Sequence, residues 1–273
     1  MRYAIKLFYI GLNYHGFQRQ PDLSTIEGEL LRVLKKLKIV EDLRKARYVS
    51  ASRTDREVSA VSQVVSFSSA QTPIIPLINS LLPKDIKTWA ISEVPEKFNP
   101  RKEAIYKHYR YIIPYDGENL DEMIKGASLL EGTHDFQKLS KPNKKDNTIC
   151  TLLEVKLQKQ GDFVVFDFKG KRFLWKMIRK IVTTLLHIGK GIMPLEELRT
   201  LLNPSSSPTK DVQPASSRGL ILYNIEYPFS FAVNRIALEE IREYLRQVAR
   251  DYQIRMRVHQ TFLSAFSSLR MEE

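Results

Sequence analysis

The chain has 273 residues, and its 43% of hydrophobic residues can bury the core of one large or two modest domains. Lysine and arginine number 43 against 31 acidic residues, and the formal charge of +12 favours partners that carry negative charge, above all nucleic acid. The single cysteine, Cys150, excludes an intrachain disulfide, and no apolar run approaches the ~18 residues of a membrane span, so we predict a cytoplasmic protein without membrane contact.

The first hundred residues alternate between strand and helix signals. Apolar residues at every second position predict strands at 3–10, 47–51, 60–68 and 86–94. A first helix is predicted to begin with Ser24 as N-cap and Glu27 three residues later, the spacing of a capping box. A short apolar helix is expected from Ile74 to Leu82. The resulting order, β-α-β-β-α-β, is that of a ferredoxin-like unit.

A proline-rich, charged passage from Val94 to Pro100 marks a boundary, after which the same order recurs. The second set comprises predicted strands at 104–113, 148–158, 162–169 and 219–227 and helices at 119–130 and 172–189. We therefore predict an α+β fold of two ferredoxin-like halves, joined into a central mixed or antiparallel sheet with helices packed on it. The predicted domains are an N-terminal half over 1–100, a C-terminal half over 101–230 and a helical extension over 231–273.

A polar turn flanked by arginines connects the second and third predicted strands. Asp55 lies at its corner between Arg53 and Arg56, and nearby positive charge favours the ionised form of a carboxylate. Because an ionised carboxylate suits nucleophilic or general-base catalysis, the candidate active site is placed here. The alternative is an ordinary turn, since aspartate and threonine often bond to the local backbone of turns.

Two further residues are candidates for this site. In the predicted helix over 172–189, Leu174 lies on the apolar arc and Lys180 on the opposite, polar side. Arg179 falls at the border of the apolar arc, on the same side as Trp175. An arginine there can extend its head group to water, or it can be held partly buried to pair with a carboxylate. Tyr109 shares one strand face with Tyr111, and it is either a core residue or a site residue with an aromatic face and a polar tip.

Arg53-Thr54-Asp55, followed by Val58 and Ala60, resembles the Arg-Thr-Asp-x-Gly-Val-x-Ala signature of the tRNA pseudouridine synthase A family. Five further motifs resemble those of the family, in the family's order: Tyr14-His15-Gly16-Phe17-Gln18, Tyr109-Arg110-Tyr111-Ile112-Ile113, Gly132-Thr133-His134-Asp135-Phe136, Phe173-Leu174-x-x-Met177-Ile178-Arg179 and Pro214-Ala215-x-x-x-Gly219-Leu220. The resemblance covers residues 3–228 and leaves the C-terminal tail outside it.

The resemblance implies an activity and a set of roles. The family isomerises uridine to pseudouridine in the anticodon stem-loop of tRNA, at tRNA positions 38–40, without a cofactor. It implies that Asp55 is catalytic, that Arg179 pairs with it and that Arg53 fills the space left by the flipped uridine. It also implies a catalytic Tyr109 that packs against the target base, and the base that takes the C5 proton is either Tyr109 or a water. The other substrate-binding candidates that it implies are Thr54, Tyr14, Gln18, His134 and Asp135. The expected partners are tRNA and a second copy of the chain.

Departures from the family signature keep a second hypothesis open. Ser50 and Ser52 stand where the family often has glycines before Arg-Thr-Asp, and Ser59 stands where it usually has histidine. Glu57 stands where the signature has glycine. The alternative is a basic tRNA-binding protein or RNA chaperone with the same fold and little or no activity. The five histidines show no metal-ligand spacing and the sequence has no glycine-rich nucleotide motif, so neither a metal nor a nucleotide cofactor is expected.

The tail over 235–268 is predicted to form one or two helices with charged faces. As a single helix, 235–257 would place five arginines within an arc of about 80°, which we call the basic arc: Arg235, Arg242, Arg246, Arg250 and Arg257. Such a stripe could follow an RNA backbone, but Glu239 and Glu243 lie on the same arc and could neutralise it. The third alternative is packing against the body or a second subunit through Ile236, Leu238, Ile241, Leu245 and Val248.

Overall fold

The computed structural model describes residues 1–144, 146–203 and 211–268, which form a large mixed sheet with helices packed on it. The strands are β1 (Arg2–Tyr9), β2 (Val49–Ser50), β3 (Ser59–Ser68), β4 (Ile86–Val94), β5 (Tyr106–Pro114), β6 (Gly132–Asp135), β7 (Ile149–Gln160), β8 (Phe163–Gly170), β9 (Leu220–Glu226) and β10 (Ala232–Val233). The helices are α1 (Ile26–Lys36), α2 (Ile75–Asn79), α3 (Leu120–Leu130), α4 (Met177–Gly189), α5 (Leu195–Leu202) and α6 (Arg235–Ser268). The predicted fold class is confirmed.

The two halves meet edge to edge within the sheet. The strand order is β10-β4-β1-β3-β9-β5-β8-β7-β6, with β2 paired to β3. The joining strands β3 and β9 run parallel, with Ser59 opposite Ile221 and Ala60 opposite Leu222, and the described pairs on either side of this join are antiparallel. The join covers an edge of each half, and it sets the turn before β3 beside the C-terminal half.

The chain beyond residue 230 returns to the N-terminal half. β10 pairs with β4, with Ala232 opposite Ile91, and so extends the outer edge of the sheet. The N-terminal part of α6 also packs against β4 and α2. The domain boundaries at 100 and 230 stay a prediction, and residues 269–273 of the predicted extension lie outside the described residues.

The buried apolar side chains of both halves belong to one cluster. In α1, the helical period places Ile26, Leu30 and Leu34 on one face, and all three are buried. Tyr111 of β5 meets Phe166 of β8 edge to face at 6.4 Å between ring centroids. Because the apolar residues of α4 pack into the same cluster, the orientation of α4 relative to the sheet is fixed.

The predicted start of α1 is wrong by one residue. Thr25 is the N-cap, and its side chain accepts from the Gly28 N–H at 3.2 Å. Ser24 is held in the preceding loop, because its carbonyl accepts from the His15 N–H at 2.9 Å. The Glu27 carboxylate accepts from the Arg19 N–H at 3.0 Å, so it does not complete a capping box.

The predicted start of α4 is also wrong, because the helix begins at Met177 and not at residue 172. Lys176 adopts the left-handed conformation, with φ 61° and ψ 3°, which separates the preceding segment from the helix. Leu174, expected on the apolar arc of the helix, therefore lies before it. Lys180, expected on the polar side, is buried and its Nζ donates to Asp211 Oδ1 at 2.7 Å.

Several elements were missed or shortened. β6 and β10 have only four and two residues, too few for alternation to be recognised. α5 was detectable, because acidic residues occupy its first turn and Leu198 and Leu201 repeat on its buried face. α2 ends at Asn79, three residues before the predicted end, and the first part of the predicted loop over 204–217 lies outside the described residues.

The tail forms one continuous helix over its described length, α6. Among the helices described, none combines the length and apolar character needed to cross a bilayer.

Candidate active site

Asp55 lies in the turn between β2 and β3, and neighbouring segments hold the backbone of this turn. The Phe17 N–H donates to Thr54 O at 3.0 Å, and the Tyr9 hydroxyl contacts Thr54 Oγ1 at 2.8 Å. The Val58 N–H donates to Asp55 O at 3.2 Å and closes the turn. The Asp55 side chain therefore projects from a backbone with little freedom.

Gly16 explains why the motif around Tyr14 accompanies the aspartate turn. Its φ is +96°, and an added Cβ would lie 3.0 Å from Thr54 O and 3.2 Å from Asp55 C. Glycine thus lets the loop after β1 approach the Asp55 backbone closely. Gly16 belongs to the motif Tyr14-His15-Gly16-Phe17-Gln18, but nothing in the sequence shows that it approaches the Asp55 backbone.

Two donors hold the Asp55 carboxylate, one on each oxygen. Arg179 Nη1 donates to Oδ2 at 3.1 Å, and Trp175 Nε1 donates to Oδ1 at 3.0 Å. The side chains of Asp55 and Arg179 are 25% and 15% exposed, so their ion pair is only partly shielded from water. Arg179 Nε also donates to Ala215 O at 2.6 Å, which directs the guanidinium toward Asp55. The structure thus brings Arg179 to the aspartate.

Tyr109 of β5 lies in the same cleft but is mostly buried. Its ring meets Phe173 edge to face, with 5.0 Å between ring centroids. Burial raises the pKa of Tyr109 to about 12; a hydrogen bond with Ser52 opposes this shift, and the Asp55 charge adds to it. At neutral pH the phenol is therefore protonated, and it can offer a hydrogen-bond donor and an aromatic surface.

Asp55, Tyr109 and Arg179 line a cleft of about 1060 Å³, which exceeds the roughly 300–1000 Å³ of a small-molecule pocket. Among the described residues, the carboxylates of Asp55 and Asp146 line this cleft. Nine of the described lining residues are cationic: Arg53, Arg56, Arg101, Lys102, Lys107, Lys171, Arg172, Lys176 and Arg179. The excess of positive charge suits a polyanion, and the volume accommodates a nucleotide together with its neighbours.

Lys107 is a cleft cation that the sequence analysis missed. It is buried, and its Nζ donates to Ala51 O at 2.7 Å. Burial, with a smaller contribution from the nearby Arg101 charge, lowers the pKa of Lys107 to about 8. Lys107 is therefore mostly charged at neutral pH and loses its charge as the pH rises through about 8. The alternation of β5 puts the side chains of Lys107 and His108 on opposite faces of the sheet, but no sequence signal shows which of them is buried.

The other predicted substrate-binding residues divide into two groups. Arg53, Thr54 and Gln18 line the cleft, and Arg53 is exposed there. Three others are not among the lining residues, namely Tyr14, His134 and Asp135. The Tyr14 hydroxyl donates to Asp85 Oδ1 at 2.7 Å, whereas His134 and Asp135 lie on β6 at the opposite edge of the sheet from β10.

The described residues contain no group of three or more His, Cys, Asp or Glu side chains that could hold a metal ion.

Glu57 stands where the family signature has glycine, and its backbone has the left-handed conformation that a glycine at this position suggests. Its φ is 67°, in the left-handed region. Its carboxylate accepts from Arg218 Nη2 at 3.2 Å, and this bond lowers the pKa of Glu57. The charge of Arg56 also lowers the pKa of Glu57, but by less than Arg218 does. The added negative charge near the cleft is thus matched by an arginine from the C-terminal half.

Glu57→Gly should leave activity within about threefold of wild type, because relief of the left-handed backbone offsets loss of an exposed ion pair. Initial rates of the activity that the family resemblance implies, together with the thermal midpoint, check this expectation. A natural protein with no detectable turnover and a Glu57→Gly variant with substantial turnover would contradict it, and would make the natural chain a binding protein.

A carboxylate held by two donors, in a cationic cleft that also presents aromatic rings, suits an enzyme that acts on a nucleic acid. Comparison with known proteins specifies the class. A family described as tRNA pseudouridine synthase matches residues 127–228. The tRNA pseudouridine synthase A of Methanosarcina mazei is 42% identical over 229 residues, which is 83% of this chain and 85% of that protein.

A longer alignment agrees with this match. The tRNA pseudouridine synthase A of Pyrococcus furiosus is 35% identical over 100% of this chain and 99% of that protein. A solved chain from a Cbf5-Nop10-Gar1 complex is 13% identical, with a TM-score of 0.35 over 67% of this chain and 45% of that chain. On the sequence relatives, the chain belongs to the tRNA pseudouridine synthase A family, a family of isomerases, and the predicted membership is confirmed.

Proposed function

We propose that this chain isomerises uridine to pseudouridine in the anticodon arm of tRNA, with Asp55 as the reacting group. The observation that carries the proposal is the placement of Asp55, clamped by Arg179 and Trp175 within a cleft lined by nine cations. The inactive tRNA-binding alternative is not favoured, because relatives that bear the enzyme's name are up to 42% identical over most of the chain.

The reaction needs a carboxylate but no electron or nucleotide donor. The N1–C1′ glycosidic bond breaks, the uracil rotates, C5 bonds to C1′, and the C5 proton leaves as N1 gains one. Product and substrate are isomers, so neither a redox cofactor nor ATP enters the balance. Asp55 can assist by adding at C1′ or by removing a sugar proton, and both routes require an ionised, oriented carboxylate.

Tyr109 and Arg53 are assigned to the handling of the base. A phenol whose pKa is about 12 is a poor base at neutral pH, which supports a water as acceptor of the C5 proton and Tyr109 as a packing surface for the uracil. Arg53 is exposed on the cleft two residues before Asp55, where a planar cation could occupy the gap that a flipped uridine leaves. Tyr14, His134 and Asp135 stay as predicted contacts to parts of tRNA outside the cleft.

The test of the assigned position is a map of pseudouridine in unmodified tRNA transcripts after incubation with the purified protein. We expect new pseudouridine in the anticodon stem-loop, and none in a transcript whose anticodon-arm uridines are replaced by cytidine. Modification confined to another arm would contradict the anticodon assignment, although it would leave the activity in place.

We further propose a cytoplasmic homodimer, and α6 supports the second subunit. Ala237 and Ile241 pack against the body, whereas every described side chain from Ala249 to Ser267 is exposed. This segment, the α6 arm, is about 30 Å long. An apolar stripe within an arc of about 80° begins at Leu245, just before the arm, and continues along it through Tyr252, Met256, Leu263 and Phe266; these side chains are 39% to 72% exposed.

The stripe favours a second copy over RNA as the occupant. Its burial would supply much of the roughly 800 Å² per partner that a standard interface needs, and a two-fold axis pairs the same surface on both subunits. Arg242 and Arg246 of the basic arc are already ion-paired with Glu239 and Glu243. The arc therefore offers less free charge to phosphates than its five arginines imply. The free cysteine supports the reducing compartment.

Removal of residues 249–273 should convert the dimer to a monomer. A cut after Val248 is needed because a cut at Pro228 would also remove β10 and the buried part of α6. Light scattering should give twice the chain mass of 31.7 kDa for the full-length protein and about half that total after the cut.

A matched pair of variants separates the stripe from the rest of the arm. Leu263 lies on the stripe, and Leu263→Glu should dissociate the dimer. Ile254 is also exposed but lies about 180° around the helix from Leu263, so Ile254→Glu should leave the dimer intact. A monomeric full-length protein would contradict the proposal. The affinity for tRNA is also measured across a salt series for the full-length protein and for the protein cut after Val248. If the slope of log affinity against log salt is lower after the cut, by about one unit per lost phosphate contact, the arm binds RNA instead.

A further inference from the structure

We infer that Trp175 is a positioning residue for Asp55, which it orients through an indole N–H hydrogen bond. The inference rests on the proposed role of Asp55 and adds a residue to its machinery. Trp175 Nε1 lies 3.0 Å from Oδ1, while Arg179 Nη1 lies 3.1 Å from Oδ2. Each oxygen of the carboxylate therefore has one fixed donor, and the two donors together define the plane in which it lies.

The local backbone is arranged to present the indole at this point. Lys176 takes a left-handed conformation directly after Trp175, and the Met177 N–H donates to Leu174 O at 3.1 Å. This turn keeps Trp175 and Arg179 beside the same carboxylate, although α4 has not yet begun at Trp175. The Lys141 N–H donates to Trp175 O at 2.9 Å, so a second loop anchors the residue.

The indole is fixed without being buried. It remains 49% exposed, and the Nζ atoms of Lys141 and Lys176 lie 5.2 Å and 5.1 Å from its ring centroid. A tryptophan that served only the core would bury its ring, and its N–H would bond within the core. Here the ring lines the open cleft and its polar atom is directed at the reacting group.

The consequence is a carboxylate that cannot rotate freely about its Cβ–Cγ bond. Each carboxylate oxygen keeps a lone pair that neither donor uses. Because the two donors fix the plane of the carboxylate, they also fix the direction of these free lone pairs. Addition at C1′ and removal of a sugar proton both require such an approach, so the indole contact should act on the chemical step. The indole of Trp175 is uncharged and makes no ion pair with a phosphate, so its removal should change the affinity for tRNA little.

Trp175→Phe retains an aromatic ring and removes the donor. We expect kcat to fall about 10- to 100-fold, with KM for tRNA within about threefold of wild type. Trp175→His, which restores an N–H donor, should recover part of the lost kcat. Trp89→Phe is the matched control, because it removes the other indole of the chain, whose N–H donates to Val61 O, and it should keep wild-type kcat.

A second measurement follows the contact without activity. The chain has two tryptophans, so a ¹⁵N-labelled sample gives two indole N–H signals, which Trp89→Phe assigns. Asp55→Ala should move the Trp175 signal upfield, because the acceptor is lost, and should leave the Trp89 signal in place. An unmoved Trp175 signal would overturn the contact, and wild-type kcat in Trp175→Phe would overturn the positioning role. A wild-type protein that makes no pseudouridine would instead remove the proposed function, whatever the signals show.

Discussion

Asp55→Asn should abolish pseudouridine formation while leaving tRNA affinity within a few-fold of wild type. The carboxamide has nearly the shape of the carboxylate, and its oxygen can still accept from Trp175 or Arg179. It cannot add to C1′ as an anion or accept a sugar proton, so the reacting group alone is lost. The change also removes one negative charge from a cleft with nine cations, which should not weaken the binding of a polyanion.

The measurement is single-turnover product formation at saturating enzyme, together with tRNA binding at fixed salt. Asp162→Asn is the control, since it removes one carboxylate from the exposed turn between β7 and β8. Turnover retained by Asp55→Asn would refute the assignment of Asp55. Loss of tRNA binding along with turnover would show that the residue holds the turn and not the chemistry.

Arg179→Ala should lower both the rate and the stability. The variant leaves the Asp55 carboxylate without its charged partner and removes the 2.6 Å bond from Nε to Ala215 O. Breaking a fully buried pair costs about 3–5 kcal/mol; since Asp55 and Arg179 are 25% and 15% exposed, we expect roughly 2–3 kcal/mol. Misorientation of the carboxylate should reduce kcat by about 100-fold or more.

Chemical denaturation and single-turnover rates check the two effects separately. Arg179→Lys keeps the charge, but a single ammonium cannot serve both Asp55 and Ala215, so its rate should fall between wild type and Arg179→Ala. Arg199→Ala, on α5, removes an exposed arginine paired with Glu196 and should change stability by under about 0.5 kcal/mol. A fully stable and active Arg179→Ala variant would show that the arginine merely extends to water.

The order of strands and helices was predictable because each half buries apolar residues at the period of its own elements. β4 spans Ile86–Val94, the predicted range, and α3 begins at Leu120 after Asn119, whose side chain caps it. The parallel join of β3 to β9 could be expected only as an edge-to-edge contact, since no local pattern fixes which strands meet. The return of β10 to β4 depends on two residue pairs and leaves no signal in the sequence.

The candidate site was predictable where one residue type limits the chemistry. Asp55 stood out in its turn, and Arg179 stood out because it lies at the border of an apolar helix face. The contact of Trp175 with Asp55 was not predicted. Trp175 precedes the helix, which begins at Met177, so helical periodicity does not describe where its side chain lies. Lys107 and Gly16 were missed because their roles depend on backbone atoms of the Asp55 turn, at Ala51 and Thr54.

The most direct test of the central claim is turnover of unmodified tRNA by the purified wild-type protein, without any added cofactor. Pseudouridine would be counted per enzyme over time at substrate excess, with the protein first dialysed against a chelator. The account predicts several moles of pseudouridine per mole of enzyme at an undiminished rate. Saturable tRNA binding without any pseudouridine would contradict it, and so would turnover that returns only when a cofactor or metal is restored.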